Sequence, residues 1–224
     1  SLFVQIDDET RYYAPNVKYS PGMFKFAGSI IALSIGLGVP IRVKLIPVIY
    51  RLIFKEPLDS DCDLLEQSPS LYYNLRKLLD NNINLSDLDL RFPNDESKRV
   101  IKRNLNQYIQ EYSFYSTYGA YKPQIDAFVE GFNSVLTAKI YHYITIDELI
   151  RILIGKSSYT ADDFFNHCES QSVAVKNDLR EIIESFTLEQ KSLLLKFITG
   201  SETLPFEGFS GLKGGGVKAD IFQD

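Results

Sequence analysis

Two stretches of the chain carry both the start signal and the stop signal of an α-helix, which limits the folds open to it. Thr145–Glu148 and Thr187–Gln190 each place a threonine three residues before Glu or Gln, the capping-box spacing that satisfies free backbone N–H groups at a helix start. Gly155 and Gly200 follow where glycine commonly ends a helix. The sequence therefore predicts two short helices that end near these glycines.

Other segments repeat the helical spacing of apolar residues. Ser68 and Pro69 indicate a helix start, because a serine hydroxyl caps free N–H groups and the fixed φ of proline suits the first helical position. Three apolar faces at helical spacing are Leu71, Leu75, Leu78 and Leu79; Leu105, Tyr108, Ile109 and Tyr112; and Ile125, Phe128, Phe132 and Val135. The chain is predicted to be mainly helical.

Strand signals are short, and one apolar run is prominent. Leu88, Leu90 and Phe92 alternate with charged neighbours, the period of two that favours a half-buried strand. The run 27–41 has no charged residue but is shorter than the about 20 residues of a membrane-spanning helix. We therefore predict a core helix in this run and no membrane span.

Composition argues against several classes of function. The 224 residues carry a net charge of −5, so the chain has no excess of positive charge to displace counterions from nucleic acid. Two cysteines, Cys62 and Cys168, are too few for a disulfide framework and favour a reducing compartment. His142 and His167 are the only histidines, which leaves a zinc site without a framework. We expect no nucleic acid, no metal and no cofactor.

Neither cysteine is a good candidate nucleophile. Cys62 lies among three aspartates, whose carboxylates should raise its pKa and disfavour the thiolate. Cys168 follows His167 directly, but adjacent residues on a helix point about 100° apart and do not face each other. We expect both thiols to be incidental.

A boundary between two lobes is predicted at Gly155–Ser158. A predicted helix ends there, the four residues are small or polar, and Thr160 suits the N-cap of a new helix ahead of Asp163. A flexible joint fits this composition.

Seven segments carry a longer pattern in consistent order between about residues 24 and 212. They are Phe26–Leu33, Val48–Ile53, Ser70–Leu75, Leu88–Phe92, Ile125–Phe132, Asp147–Gly155 and Phe197–Phe209. Together they resemble the catalytic domain of HECT-type ubiquitin-protein ligases, although Ser29 stands where that family usually has arginine. The segment Pro93–Ser97 is also shorter than the polar hairpin usual in the family, and the loop after Cys168 is short.

The resemblance implies an α+β, bilobal domain. It implies a mainly helical N-lobe over 1–154, with a small conjugating-enzyme-binding subdomain at about 68–118. The implied hinge is 155–158, made of Gly155, Lys156, Ser157 and Ser158, and a partial α/β C-lobe covers 159–224. The positions that match the conjugating-enzyme groove are Leu71, Asn74, Leu75, Leu78, Leu90, Tyr108 and Tyr112. Each leucine or tyrosine among them is equally compatible with a place in the core.

The resemblance also implies an activity. Proteins of this family accept ubiquitin from a conjugating enzyme as a cysteine thioester and pass it to a substrate lysine, so the implied partners are a conjugating enzyme, ubiquitin and protein substrates. We expect the nucleophilic cysteine beyond Asp224, and Leu193, Leu194, Phe197 and Phe209 to stay partly uncovered without the rest of the lobe. The expected location is the cytoplasm, with the nucleus as a further compartment. The alternative is a catalytically inactive HECT-like helical scaffold that binds proteins.

Overall fold

The computed structural model describes residues 1–80, 83–136, 142–156, 158–167 and 173–212, with side chains left out at 173–176. By its internal contacts the chain forms two compact units. The first unit comprises 1–33 and 43–147, and the second comprises 34–42 and 148–224. This division lies at 147/148 and adds an early segment to the second unit, whereas the predicted hinge lies at 155–158. The lobe boundaries therefore remain predictions.

Helices dominate the described residues, as the sequence predicted. The α-helices are α1 (Pro21–Leu37), α2 (Pro47–Phe54), α3 (Ser60–Gln67), α4 (Pro69–Lys77), α5 (Leu105–Thr117), α6 (Lys122–Val135), α7 (Ile146–Ile154), α8 (Ala161–Phe165), α9 (Val173–Ser185) and α10 (Leu188–Thr199). Short 3₁₀ turns occupy Leu85–Asp87, Lys102–Asn104, Gly119–Tyr121 and Gly208–Gly211. None of the helices in the described part of the chain combines the length and apolarity that a bilayer crossing requires.

The core of the first unit forms where α1 packs against α6. A Cβ atom at Gly28 would collide with the Phe128 carbonyl, and one at Gly131 would collide with the backbone of Lys25. Both glycines therefore let two backbones approach closely. Phe24 on α1 and Phe128 on α6 are fully buried near this close approach.

The prediction of a core helix over 27–41 is only partly right. α1 ends at Leu37 and buries one face, including Ile31 and Ala32. The opposite face is open, since Phe26 is 69% exposed and Leu33 is 48% exposed. A run without charges therefore indicated the helix but not which of its faces is buried.

Two small antiparallel sheets accompany the helices. β1 (Phe3–Gln5) pairs with β2 (Tyr13–Pro15), and β3 (Arg91–Phe92) pairs with β4 (Asp95–Arg99). The strand predicted over Leu88–Phe92 is wrong in extent, because Leu88 follows a 3₁₀ turn and pairing begins near Leu90, whose carbonyl accepts a bond from Val100 N–H.

The short segment after Phe92 also forms more structure than the sequence indicated. Phe92 pairs with Asp95, so Pro93 and Asn94 form the connection of a tight hairpin.

Helix capping follows the sequence at two of the predicted starts. Thr187 Oγ1 accepts a bond from the Gln190 N–H at 3.2 Å, and the Gln190 side chain accepts one from the Thr187 N–H at 2.8 Å. Gly200 ends α10 with φ of 75°. Thr160 and Asp163 form a second capping box at the start of α8.

At Ser68 the predicted capping mechanism is wrong. Ser68 precedes α4, and Pro69 occupies its first turn as expected, but the serine side chain caps no N–H group of this helix. Its hydroxyl lies 3.2 Å from Asp7 Oδ2 instead. The sequence therefore predicted where α4 begins but not which group the Ser68 hydroxyl bonds to.

Candidate functional site

The groove positions predicted from the sequence lie around one apolar cluster of the first unit. We call it the subdomain cluster. Its buried members are Leu64, Leu75, Leu85, Phe92, Val100, Leu105, Tyr108 and Ile109. Helices α3, α4 and α5, the 3₁₀ turn Leu85–Asp87, strand β3 and the residue after β4 supply these side chains. The cluster is thus built from several short elements that converge on α5.

Six of the seven predicted positions belong to this cluster or pack against it. Leu75 and Tyr108 are buried within it, at 6% and 3% exposure. Four others pack against it while remaining partly accessible, namely Leu71, Leu78, Leu90 and Tyr112. Asn74 is exposed on α4. The accessible members can meet a partner directly, whereas Leu75 and Tyr108 mainly support the fold from below.

Aromatic rings connect the buried and accessible parts of the cluster. The ring centres of Phe92 and Tyr108 are 5.5 Å apart in an edge-on arrangement, and those of Tyr108 and Tyr112 are also 5.5 Å apart. Such pairs add packing specificity to their burial. Burial raises the pKa of the Tyr108 phenol, which therefore stays protonated. Tyr112 therefore packs against a buried neighbour.

Sequence reasoning missed part of this cluster. Leu64, Leu85 and Val100 are buried in it but were not assigned to the site. Leu64 lies in a helix of polar composition, and Val100 follows a charged strand, so neither belongs to a recognisable apolar period. Tyr72, which lies in the motif Ser70–Leu75, also packs against the cluster. Only the tertiary contacts identify these members.

An ion pair in the first unit fixes α3 beside α2. Arg51 Nε lies 2.6 Å from Asp63 Oδ1, and the Asp63 side chain is only 1% exposed. Burial raises the pKa of Asp63 despite this pairing, and the hydrogen bond to Asp63 raises the pKa of Arg51. Asp63 Oδ2 has no hydrogen-bond partner among the residues that the structure describes, so the pairing with Arg51 offsets only part of the cost of burying this carboxylate.

The thiol of Cys62 behaves as the sequence indicated. Cys62 is exposed near the start of α3, and Asp59 accepts a hydrogen bond from its backbone N–H at 3.0 Å. Hydrogen bonding to Asp59 and the charge of that carboxylate raise the pKa of Cys62, which disfavours the thiolate. Cys168 lies outside the described residues. Among those that are described, no group of three or more His, Cys, Asp or Glu side chains could hold a metal ion.

The predicted hinge positions belong to the second unit in the structure. Gly155 has φ of +77°, and a Cβ atom there would lie 2.6 Å from the Leu204 carbonyl oxygen. Lys156 exchanges two backbone hydrogen bonds with Leu204, at 2.8 and 2.9 Å. Ser158 is exposed, and Ser157 lies outside the described residues. Rotation about Lys156 would therefore disturb a bridge within this unit.

The second unit has an apolar cluster of its own, which we call the α10 cluster. Its buried members are Tyr159, Ala161, Phe165, Ile183, Leu195 and Leu204. Leu194 and Phe209 pack against it, whereas Leu193 is 55% exposed and Phe197 is 89% exposed. Two of the four residues expected to stay partly uncovered are thus largely open to solvent.

The described residues form a mainly helical α+β protein with two compact units. Comparison with known proteins identifies the family. Residues 1–220 match the family HECT-domain (ubiquitin-transferase). The chain belongs to this family, as the sequence motifs indicated.

Relatives with assigned names agree with this membership. The chain is 27% identical over 96% of its length to E3 ubiquitin-protein ligase HACE1 of Mus musculus and of Homo sapiens, covering 26% of each relative. It is 25% identical over 95% of its length to E3 ubiquitin-protein ligase UPL1 of Arabidopsis thaliana, covering 7% of that relative. The chain spans about a quarter or less of the length of these relatives.

Proposed function

We propose that this chain acts in a HECT-type ubiquitin-protein ligase, and that the surface over the subdomain cluster binds a ubiquitin-conjugating enzyme. The observation that carries this proposal is the convergence of six predicted groove positions on one cluster. Leu71, Leu78, Leu90 and Tyr112 remain partly accessible there. Apolar and tyrosine side chains in such a setting concentrate binding energy in a modest interface. The occupied groove would bring a donor thioester to the protein.

The proposed chemistry exchanges one thioester for another and then forms an amide. A cysteine thiolate attacks the ubiquitin thioester carbonyl, and the conjugating-enzyme thiolate leaves. A substrate lysine amine then attacks the new thioester, the ligase thiolate leaves, and the amine loses a proton. Cys62, with its raised pKa, suits neither step.

The partners we propose are a ubiquitin-conjugating enzyme, ubiquitin and substrate proteins, acting in the cytoplasm and the nucleus. We also propose that 1–154 and 159–224 move as two lobes about 155–158. The positive φ of Gly155 supports a sharp change of chain direction there. The bridge between Lys156 and Leu204 would have to open or move with the second lobe.

Binding of the conjugating enzyme is tested best at the accessible residues. Leu71→Ala and Tyr112→Ala should each weaken the Kd by roughly tenfold or more, the range of interface hot spots. Phe197→Ala, which removes a side chain exposed at 89% in the second unit, is the matched control and should leave the Kd unchanged. The measurement is titration of the 224-residue chain with a panel of labelled conjugating enzymes. If every panel member binds these variants as tightly as the parent, the groove assignment is wrong.

Catalysis is tested on the natural protein that contains this chain. A ubiquitin adduct that disappears on thiol reduction, and that is lost when one particular cysteine of that protein is changed to alanine, would support the ligase. The alternative is the inactive scaffold, which predicts conjugating-enzyme binding without any such adduct. The two outcomes separate recruitment from transfer.

The hinge has its own test in the same protein. Replacing Lys156 and Ser157 with two prolines should slow single-turnover ubiquitin transfer and leave the conjugating-enzyme Kd unchanged. Proline at 156 also removes the N–H that bonds to the Leu204 carbonyl, so urea unfolding of the variant must be measured alongside. Equal transfer rates would exclude a pivot at these residues.

A further inference from the structure

A run of basic residues lies on the subdomain of a chain that is acidic overall. Lys98, Arg99, Lys102 and Arg103 fall within six residues, and the nearest acids along the chain are Glu96 and Glu111. The net charge of the whole chain is −5. We call these four residues the basic patch. A local positive charge on a chain of negative net charge attracts anionic partners selectively.

The charges of the basic patch are only partly neutralised. Arg99 lies 3.1 Å from Asp89, a carboxylate that also pairs with Arg91. The Lys98 ammonium lies 3.8 Å from the centre of the Phe92 ring. Lys102 and Arg103 are exposed and form no ion pair with any residue that the structure describes. The patch therefore keeps an uncompensated positive charge at its C-terminal end.

A depression of mixed character adjoins Lys102. The residues lining it are Ile83, Asn84, Leu85, Ser86, Val100, Ile101 and Lys102. Leu85 and Val100 form a buried floor, while the Ile101 side chain is 47% exposed. Its volume is about 420 Å³, enough to admit an aliphatic side chain. A recess with both apolar and polar lining, and with the cation Lys102 at its border, suits a ligand that is apolar at its centre and acidic around it.

A second depression continues from the first towards α4. Ile83, Leu85 and Lys102 line both, and the second adds Leu78 and Asp80. Asp80 lines the second depression, and Asp87 accepts a hydrogen bond from the Asn84 side chain beside the first. An anionic ligand would therefore be directed to the edge formed by Ile101 and Lys102. The surface is therefore asymmetric in charge.

We propose that the basic patch and the Ile101 depression bind an acidic peptide segment of a partner protein through one aliphatic anchor residue. The aliphatic side chain enters between Ile83 and Ile101, and flanking carboxylates meet Lys102 and Arg103. Charge complementarity selects this occupant over a wholly apolar helix, which would leave the Lys102 ammonium desolvated at its edge. The proposal does not depend on ubiquitin transfer.

The test uses a fluorescein-labelled peptide with a Leu-Ile pair flanked on both sides by Glu and Asp. Fluorescence anisotropy with the 224-residue chain should show binding that weakens as salt is raised, because the rim charges are exposed. The double variant Lys102→Glu/Arg103→Glu should weaken binding by roughly tenfold or more. The matched control Lys18→Glu/Arg151→Glu changes the net charge equally at exposed positions elsewhere and should shift the Kd less than about twofold.

The anchor is tested separately from the charge. Ile101→Ser in the protein and Ser-Ser in place of Leu-Ile in the peptide should each weaken binding several-fold. Combining the two changes should cost little more than either alone, because they remove the same contact. Absence of binding, or binding that ignores Ile101 and is matched by polyglutamate or heparin, would overturn the proposal. Circular dichroism and urea unfolding establish that each variant is folded.

Discussion

The subdomain cluster and the α10 cluster are both apolar, yet their surroundings differ. In the first, partly accessible leucines and tyrosines from several elements rest on a buried floor. In the second, Leu195 is fully buried while Leu193 and Phe197 on the same helix are 55% and 89% exposed. The first cluster has a supported surface, and the second has an open helix face. Large apolar side chains therefore form a supported surface in one unit and an exposed helix face in the other. Only the residues that pack around them distinguish the two cases.

Truncation of the floor residues should have the largest effect in both units. Leu75→Ala and Leu195→Ala each remove a buried side chain and leave a cavity, so each should lower the free energy of unfolding by about 2–5 kcal/mol. Chemical denaturation with urea measures the loss. For Leu75 this loss of stability competes with any loss of binding, which is why the accessible Leu71 tests the groove more cleanly. A change below about 1 kcal/mol at either position would show that its cluster is not a packed core.

The two helix starts should respond differently to loss of a hydroxyl. Thr187→Ala removes a side-chain cap and should cost about 1 kcal/mol. Ser68→Ala removes a bond to Asp7 and no cap, so it should cost less. Urea unfolding of the two variants gives the comparison directly. Equal losses would mean that the Asp7 contact stabilises the first unit as strongly as a cap stabilises the second.

Two aspartates should give the stability opposite dependences on pH. Hydrogen bonding to the Thr160 N–H holds the pKa of Asp163 below its usual 3.8, so its contribution is present above that value and is lost as the pH falls through the folded-state pKa. Burial raises the pKa of Asp63 above 3.8, so its contribution is present below that value and is lost as the pH rises through the folded-state pKa.

Asparagine variants measure these slopes by unfolding at a series of pH values. Relative to the parent, Asp163→Asn should lose less stability on acidification, and Asp63→Asn should gain stability as the pH rises above 3.8. If stability relative to the parent changed with pH in the same direction in both variants, burial would not be the dominant effect on the pKa of Asp63.

The smallest effect is expected on the open face of α10. Phe197→Ala should change the free energy of unfolding by less than about 0.5 kcal/mol, because the side chain is 89% exposed. The difference in unfolding free energy between Phe197→Ala and Leu195→Ala, two positions apart on α10, tests most directly whether one face of this helix is open. A loss near that of Leu195→Ala would mean that Phe197 is covered in solution.

Much of this architecture was readable from local chemistry. The capping box at Thr187, the stop at Gly200 and the proline start at Pro69 each act within a few residues, so the sequence alone predicted them. The extent of the strand near Phe92 and the bond from Ser68 to Asp7 were not readable, because both depend on residues brought together by the fold. The groove positions came from motif resemblance, and their shared cluster emerged only in three dimensions.

The sequence by itself determined the mainly helical character, the family and the poor suitability of Cys62 as a nucleophile. Helix periodicity, caps and neighbouring carboxylates are short-range properties, and the family follows from motifs in consistent order along the chain, so none of these conclusions needs the fold. The tertiary structure decided which apolar residues form a floor, which remain accessible, and where Lys102 borders a recess of mixed lining. Burial of a side chain and neutralisation of a charge both depend on residues that are distant in the sequence, so only the packed structure specifies them.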